Sequence, residues 1–190
     1  MHSIEPYFNW RHLYIAEDDP RSPFFGTQHS EFEFTQKVYN YYIHPQWDDV
    51  GSQTLYLKVL FVEYDAGYAI IEFIGEWNDA IENDVMVLKR ELIDKMLNLG
   101  ISKYILITEN VLNFHSSDEC YYEEWCEDVS ENGGWVVVLG MPSQSMHDIK
   151  RAGIDRFFHF IDLTEWRPYS PSDLFTKLDN YILKKLNNFQ

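Results

Sequence analysis

The sequence predicts an α/β protein with one main core: a mixed, mostly parallel sheet covered by three or four helices. Three observations carry this. From Leu55 onward, short apolar runs alternate with segments of helical periodicity. Hydrophobic residues make up 45% of the 190, enough for a sizeable core and against global disorder. The first fifty residues lack helical periodicity, yet hold 12 of the 32 aromatics and four of the seven prolines. The chain therefore reads as an aromatic-rich N-terminal arm over 1–50, packed on an α/β domain over 51–190.

In the arm, Glu31-Phe32-Glu33-Phe34 alternates polar and apolar, which predicts a short strand. Residues 38–43 extend it or form a second. So many aromatics are unfavourable in water, so the arm is expected to be ordered and packed on the core or on a second copy of the chain. Thr54 to Tyr64 reads as a strand with Leu55, Leu57, Val59 and Phe61 on one face. Asp65-Ala66-Gly67 is a turn, and Tyr68 to Ile74 completes a hairpin. Asp79 followed by Glu82 predicts a capping box, opening a helix with Ile81, Val85, Leu88, Leu92, Met96 and Leu99 on its apolar face. Gly100 ends it. Tyr104 to Thr108 is a buried strand. Ser116 or Ser117 is then expected to cap a helix, with Glu119 completing a box from Ser116. Its apolar face is Tyr121, Tyr122, Trp125, Cys126 and Val129. After Gly133-Gly134 come a strand at Trp135 to Leu139, a helix at Ser143 to Ala152, a strand at Phe157 to Ile161 and an amphipathic helix at Ser172 to Leu186. That last helix carries Leu174, Leu178, Ile182 and Leu186. The order is β-β-α-β-α-β-α-β-α, which implies crossovers, a largely parallel sheet and an antiparallel edge from the opening hairpin.

The formal net charge is −16, so general nucleic-acid binding and anionic membrane surfaces are disfavoured. Apolar runs such as Trp135 to Leu139 are far too short to span a bilayer. The start, Met1 to Pro6, has no basic segment followed by an apolar stretch, so no signal peptide is expected and the expected location is cytoplasmic. Between Glu109 and Glu131 there are eight acidic residues and no Lys or Arg, whereas from Lys150 on there are seven basic and five acidic residues. A solvated helix face explains the acidic run. A basic partner, or the basic end of a second copy in a homodimer, is the functional alternative. Cys120 and Cys126 lie six residues apart on one expected helix, a poor disulfide geometry, and read as two small half-buried side chains.

Several stretches resemble the STAS domain of anti-sigma-factor antagonists and the related SpoIIAA-like proteins. Ile71-Glu72-Phe73-Ile74-Gly75 resembles the family's second strand and its closing glycine. Residues 104–108 followed by 111–117 resemble the strand and loop leading to a phosphorylatable serine. Residues 133–140 resemble the next strand, and 152–158 the turn into the last. The match covers about Leu55 to Leu186. It implies a regulatory protein-interaction domain with a protein partner, and Ser116 or Ser117 as phosphoacceptor. The family's Asp-Ser-Ser-Gly stands here as His115-Ser116-Ser117-Asp118. Asp118 and Glu119 repel a phosphate about as strongly as a helix N-terminus attracts it. The expectation is therefore that the serines cap the helix and carry no working switch.

No nucleophile elbow, phosphate loop, zinc-binding motif or other catalytic signature is visible, so no cofactor and no metal are expected. The alternative to an interaction domain is a small-ligand binder or enzyme. Its site would lie at strand ends, where Glu76, Trp77, Asn78 and Asp79 meet Glu109, Asn110, His115, Asp118 and the arm. A deep pocket there with inward polar groups would favour that class, and a shallow surface would favour interaction.

Overall fold

Six strands pair in the order in which they occur along the chain. The computed structural model describes residues 4–163 and 165–187, the last two by backbone only, so the predicted apolar position Leu186 lies outside the described side chains. The strands of this sheet are β3 (Asp48–Asp49), β4 (Leu55–Glu63), β5 (Tyr68–Asn78), β6 (Lys103–His115), β7 (Trp135–Leu139) and β8 (His159–Ile161). β1 (Lys37–Val38) and β2 (Tyr41–Tyr42) form a separate small hairpin. β4 runs antiparallel to both of its neighbours, β3 and β5, and β5 to β8 are parallel. From β4 on, the element order is the predicted one.

Helix α1 is a continuous run of Asp84–Leu88, a π-helical turn at Lys89–Ile93 and Asp94–Leu97. Helices α2 (Cys120–Glu131), α3 (Ser143–Arg151) and α4 (Pro171–Asn187) follow. Three right-handed crossovers between strands laid down in one direction must place α1, α2 and α3 on one face. The first core forms there, from Val85, Leu88, Leu92, Tyr122, Trp125, Val129 and Ile149 against Leu55, Ile71, Phe73, Leu106 and Val138. The opposite face has Tyr68, Ile70, Ile105, Ile107, Val137 and Leu139 under Leu174, Leu178 and Ile182 of α4.

The arm completes that second face. Tyr7, Trp10 and Trp166 meet edge-to-face, with ring centroids 4.8–5.6 Å apart. The arm also reaches the first core with Ala16 and Phe24, and a third cluster holds Val38, Ile43, Trp47, Tyr56 and Ile74. Glu17, His29, Asp48 and Lys58 lock it to the sheet edge in one ion network. Hydrogen bonds to Asp48 and Glu17 push the His29 imidazole up to about 9 against burial.

Several expectations are corrected. Residues 31–34 are not a strand, because the Ser30 hydroxyl accepts the Phe32 and Glu33 N–H groups and bends the chain into a turn. Phe61 does not share a face with Leu55, Leu57 and Val59. A bulge between Val59 and Phe61 inserts Leu60, so Phe61 packs with the second core and Val62 with the first. The Asp79–Glu82 capping box does not form. α1 starts five residues later, after Asn83 in the left-handed region, and Ile81 is exposed on the preceding turn. Leu99 is also exposed, past the end of α1. The last strand begins at His159 rather than Phe157, after a 3-10 turn at Ile154–Arg156.

The π-helical turn carries Lys89, which is buried and bonds Asp94, Glu124 and Asp128 at 2.7–2.8 Å. Burial works against its charge, but the three carboxylates hold its pKa above that of an ordinary lysine. The acidic run of α2 thus answers a cation on α1.

Gly75 sits inside β5 at φ 118°, where an added Cβ would lie 2.0 Å from the Thr54 carbonyl oxygen. Gly75→Ala should therefore lose at least about 2 kcal/mol of stability in urea unfolding, through backbone strain and displacement of β4. A loss below half of that would show that the bulge relaxes freely.

Candidate functional site

β5 and β6 are longer than the sequence pattern suggests. Gly75 does not close β5. The strand makes an irregular step on either side of Ile74–Gly75 and continues to Asn78, with Glu76, Trp77 and Asn78 opposite Asn113, Phe114 and His115. Glu76, Trp77 and Asn78 are therefore strand residues, and so are Glu109, Asn110 and His115. β7 stops opposite Ile107, so the paired ends of β5 and β6 project beyond it. Ser145 of α3 covers the projecting edge by donating to the Val111 carbonyl at 3.0 Å.

The predicted site residues divide among three places. The first is a rim where the three predicted segments do meet. Tyr39, on the tip of the β1–β2 hairpin at φ 53°, donates to Glu76 Oε2 at 2.8 Å. Asn113 donates to Glu76 Oε1 at 2.7 Å, and His115 Nε2 lies 3.8 Å from Oε2. Both Glu76 oxygens are thus engaged, and Tyr39 and His115 are exposed.

The second place is a buried polar pin under the strand ends. Trp77 is buried against Phe73 and Tyr122 rather than open to a ligand, and its Nε1 donates to Asp79 Oδ1 at 3.1 Å. Asp79 Oδ1 also accepts the Val85 N–H at 2.9 Å, and Oδ2 accepts the Tyr122 hydroxyl at 2.5 Å. Asp79 therefore satisfies an early α1 amide from outside the helix. Asn78 N–H donates to Asp84 Oδ2 at 2.7 Å, and Asn78 Oδ1 accepts the Ile81 N–H at 3.1 Å. Burial, with Asp84 adding repulsion, pushes the Asp79 carboxyl up to about 6 against its three hydrogen bonds. Every polar atom of Asp79 and Asn78 that these bonds use is spent on joining β5 to α1 and α2.

The third place lies on the other face. Glu109 accepts Trp166 Nε1 at 2.9 Å and pairs with both terminal nitrogens of Arg167 at 3.3 and 2.5 Å. Glu72, missed by the sequence reading, points to the same face and accepts the Tyr7 N–H at 2.7 Å. Burial pushes its carboxyl up to about 7; the Tyr7 amide and Arg167 oppose this, and Glu109 reinforces it. Asn110 is half-buried opposite Ile74.

Ser116 and Ser117 do not cap α2. The chain stays extended to His115, both serines are exposed, and the helix begins after Glu119, whose own side chain makes no capping bond. Asp118, also exposed, instead accepts the Cys120 N–H at 2.8 Å.

Under the strand ends, Trp77, Phe114 and Tyr122 line a narrow apolar gap of about 10 Å³, and larger concave spaces lie elsewhere. A cavity of about 260 Å³ opens between the arm and β4, lined by Tyr7, Arg11, Tyr14, Glu17, Lys58 and Leu60 among others. An open polar cleft of about 670 Å³ includes Tyr39 and Glu82, but none of 76–79 or 109–117. The sequential strand order also lacks the reversal that opens a binding crevice in doubly wound sheets. Missed by the sequence reading were Tyr39, Asn113, Asp84, Glu72 and the Glu17–His29–Asp48–Lys58 network. Only Asp84, acidic at a helix start, left a local trace.

Two outcomes follow. Folding raises the Glu72 pKa, so its contribution is fully present below the ordinary carboxylate pKa and is lost as pH rises through about 7. Glu72→Gln keeps the acceptor for Tyr7 and should flatten the decline of stability between about pH 5 and pH 8, measured by urea unfolding. An unchanged slope would place the titration elsewhere. Ser116→Ala and Ser117→Ala should leave the thermal midpoint where it is, whereas Asp118→Ala should lower it. A drop for either serine variant would restore a capping role.

No protein-family model matches the chain, and no curated protein matches it. Among the described residues, no helix is long and apolar enough to cross a membrane. Solved structures do resemble it. One is a crystal structure of TM1081 from Thermotoga maritima, assigned as an anti-sigma factor antagonist, at 20% identity and TM-score 0.42 over 57% of this chain and 86% of that one. An NMR structure of TM1081 matches at 19% identity and TM-score 0.42, over 54% and 77%. SLC26A9 matches at 13% identity and TM-score 0.41, over 63% of this chain and 21% of that one.

Proposed function

We propose that the chain is a non-enzymatic regulatory domain that binds a protein partner through the rim at the β5–β6 ends, without a phosphoserine switch. One observation carries this reading. Where the predicted segments converge, the polar groups bond one another, and Tyr39, Leu112 and His115 of these segments are each exposed. The adjoining hairpin adds exposed Tyr41 and Tyr42. Aromatic side chains at the centre of a surface are typical anchors of protein interfaces. A partner with a neutral or basic face suits the net charge of −16, and a second copy of the chain is one candidate.

The reading without a switch rests on the start of α2. Asp118 takes the Cys120 N–H, and Glu119 O takes those of Tyr122 and Glu123. A phosphate on Ser116 or Ser117 would meet two neighbouring carboxylates and fewer free donors. Two unpaired cysteines, one of them exposed, fit a reducing, cytoplasmic setting. The cavity beside β4 supports the second reading, a small-ligand binder with its site away from the strand ends.

The test is capture from the native cell with the wild type, a Tyr39→Ser/Leu112→Ser variant and a Ser116→Ala/Ser117→Ala variant, followed by affinity measurement with the captured protein. The rim variant should weaken binding roughly 30-fold, the loss of about 2 kcal/mol at an interface anchor. The serine variant should bind as the wild type does. Binding untouched by the rim variant, or stoichiometric phosphoserine at 116 or 117 that abolishes it, would overturn the proposal.

A further inference from the structure

We propose that Glu17, His29 and Asp48 form a binding site for one divalent transition-metal ion of the zinc type, in a position that the ammonium group of Lys58 can also fill. The three residues each offer one donor atom, and these atoms lie within 4.8 Å of one another. His29 Nε2 is 2.7 Å from Asp48 Oδ1 and 3.1 Å from Glu17 Oε1. A tetrahedral zinc ion, with bonds of about 2.0–2.2 Å, places its donors roughly 3.3 Å apart, so small side-chain adjustments suffice.

A second observation points to a cation at this spot. Asp48 is almost wholly buried at 1% exposure, and its Oδ2 has no well-aligned hydrogen-bond partner among the described residues. Lys58 Nζ lies 3.2 Å from that oxygen, too poorly aligned to bond it well. The same ammonium touches Glu17 Oε1 and stands 3.3 Å from Asp48 Oδ1 and 3.4 Å from His29 Nε2. Its nitrogen thus marks the centre of a cage of three donor groups. One of them is an imidazole nitrogen, which binds a metal with its lone pair but gains little from facing an ammonium.

Charge and access agree. Two carboxylates neutralise a dication, whereas one ammonium balances only one of them and leaves the second to the imidazole. The metal needs the lone pair of His29 Nε2, so a proton on that nitrogen would pass to solvent as the ion binds, and Lys58 would swing out with its charge. The cavity of about 260 Å³ beside β4 is lined by both Glu17 and Lys58, and gives the ion a path and the lysine room. A mixed imidazole and carboxylate set favours Zn²⁺ over Mg²⁺ or Ca²⁺. Because Glu17 and His29 lie in the irregular part of the arm and Asp48 in β3, its strand at the sheet edge, the metal would fasten the rest of the arm to that edge.

The competing account is an ion network complete in itself, and one experiment separates the two. The purified full chain, stripped with chelator, is titrated with Zn²⁺ against a chromophoric zinc indicator, with circular dichroism confirming the fold of every variant. One equivalent should bind the wild type. Lys58→Met should bind roughly tenfold more tightly or better, and Zn²⁺ should raise its thermal midpoint, because the competing cation is gone. Asp48→Asn and His29→Gln should each weaken binding roughly tenfold or more through loss of a donor. No stoichiometric binding by Lys58→Met would overturn the proposal. So would binding that survives His29→Gln and Asp48→Asn alike, since other histidines would then hold the ion.

Discussion

The handedness of the crossovers is the constraint on which the rest of the structure depends. Strands added in chain order by right-handed connections put α1, α2 and α3 on one face of the sheet. The other face still carries Leu60, Tyr68, Ile70, Ile105, Ile107, Trp135, Val137 and Leu139. One helix about 10 Å across covers roughly two strands spaced about 4.8 Å apart. α4 alone therefore leaves apolar strand surface open. Trp10 and Tyr7, wedged against Trp166, cover the remainder, and each large aromatic removes about 150–250 Å² from water. The aromatic richness of the first fifty residues has its physical reason here.

The same contact accounts for the polar chemistry on that face. Glu72 is a buried carboxyl with Lys58 and Ile107 as its strand neighbours, and the arm that covers it brings the Tyr7 amide as its partner. Arg167, in the segment leading to α4, pairs with Glu109, which keeps two nearby carboxyls from facing one another unscreened. At the sheet edge, β3 pairs only with Tyr56 and Leu57, so most of β4 lacks a strand neighbour on its outer side. The arm runs along that edge and binds it through Lys58, which protects it from pairing with another chain. Cover for the face, partner for the buried acid and guard for the edge are one segment.

Much of this was legible in the sequence, for reasons that differ by element. β7 is a short unbroken apolar run between Gly-Gly and Gly, and α1 and α4 show helical spacing, so their order could be read directly. The ends of β5 and β6 could not. Gly75 looks like a terminator but serves a bulge at positive φ, and the polar residues after Thr108 look like a loop although they pair with β5. Ending the strands there left Glu76, Trp77 and Asn78 outside β5, although they belong to it. It also made Ser116 look like a cap, because the Ser-x-x-Glu spacing is right while the chain is still extended at His115. The rim and the ion network were invisible for another reason. Tyr39 meets Glu76 across 37 positions and Glu17 meets Lys58 across 41, and no local pattern encodes such pairs.

The central claim is that the arm is an integral cover of the second face rather than an appendage. Native-state amide exchange at Tyr7 tests it most directly, because that N–H is bonded to buried Glu72 at 2.7 Å only while the arm is in place. The account predicts protection of the Tyr7 amide approaching that of Ile70 and Ile71 in the middle of β5. Exchange of Tyr7 at the rate of a free peptide, with β5 still protected, would contradict it.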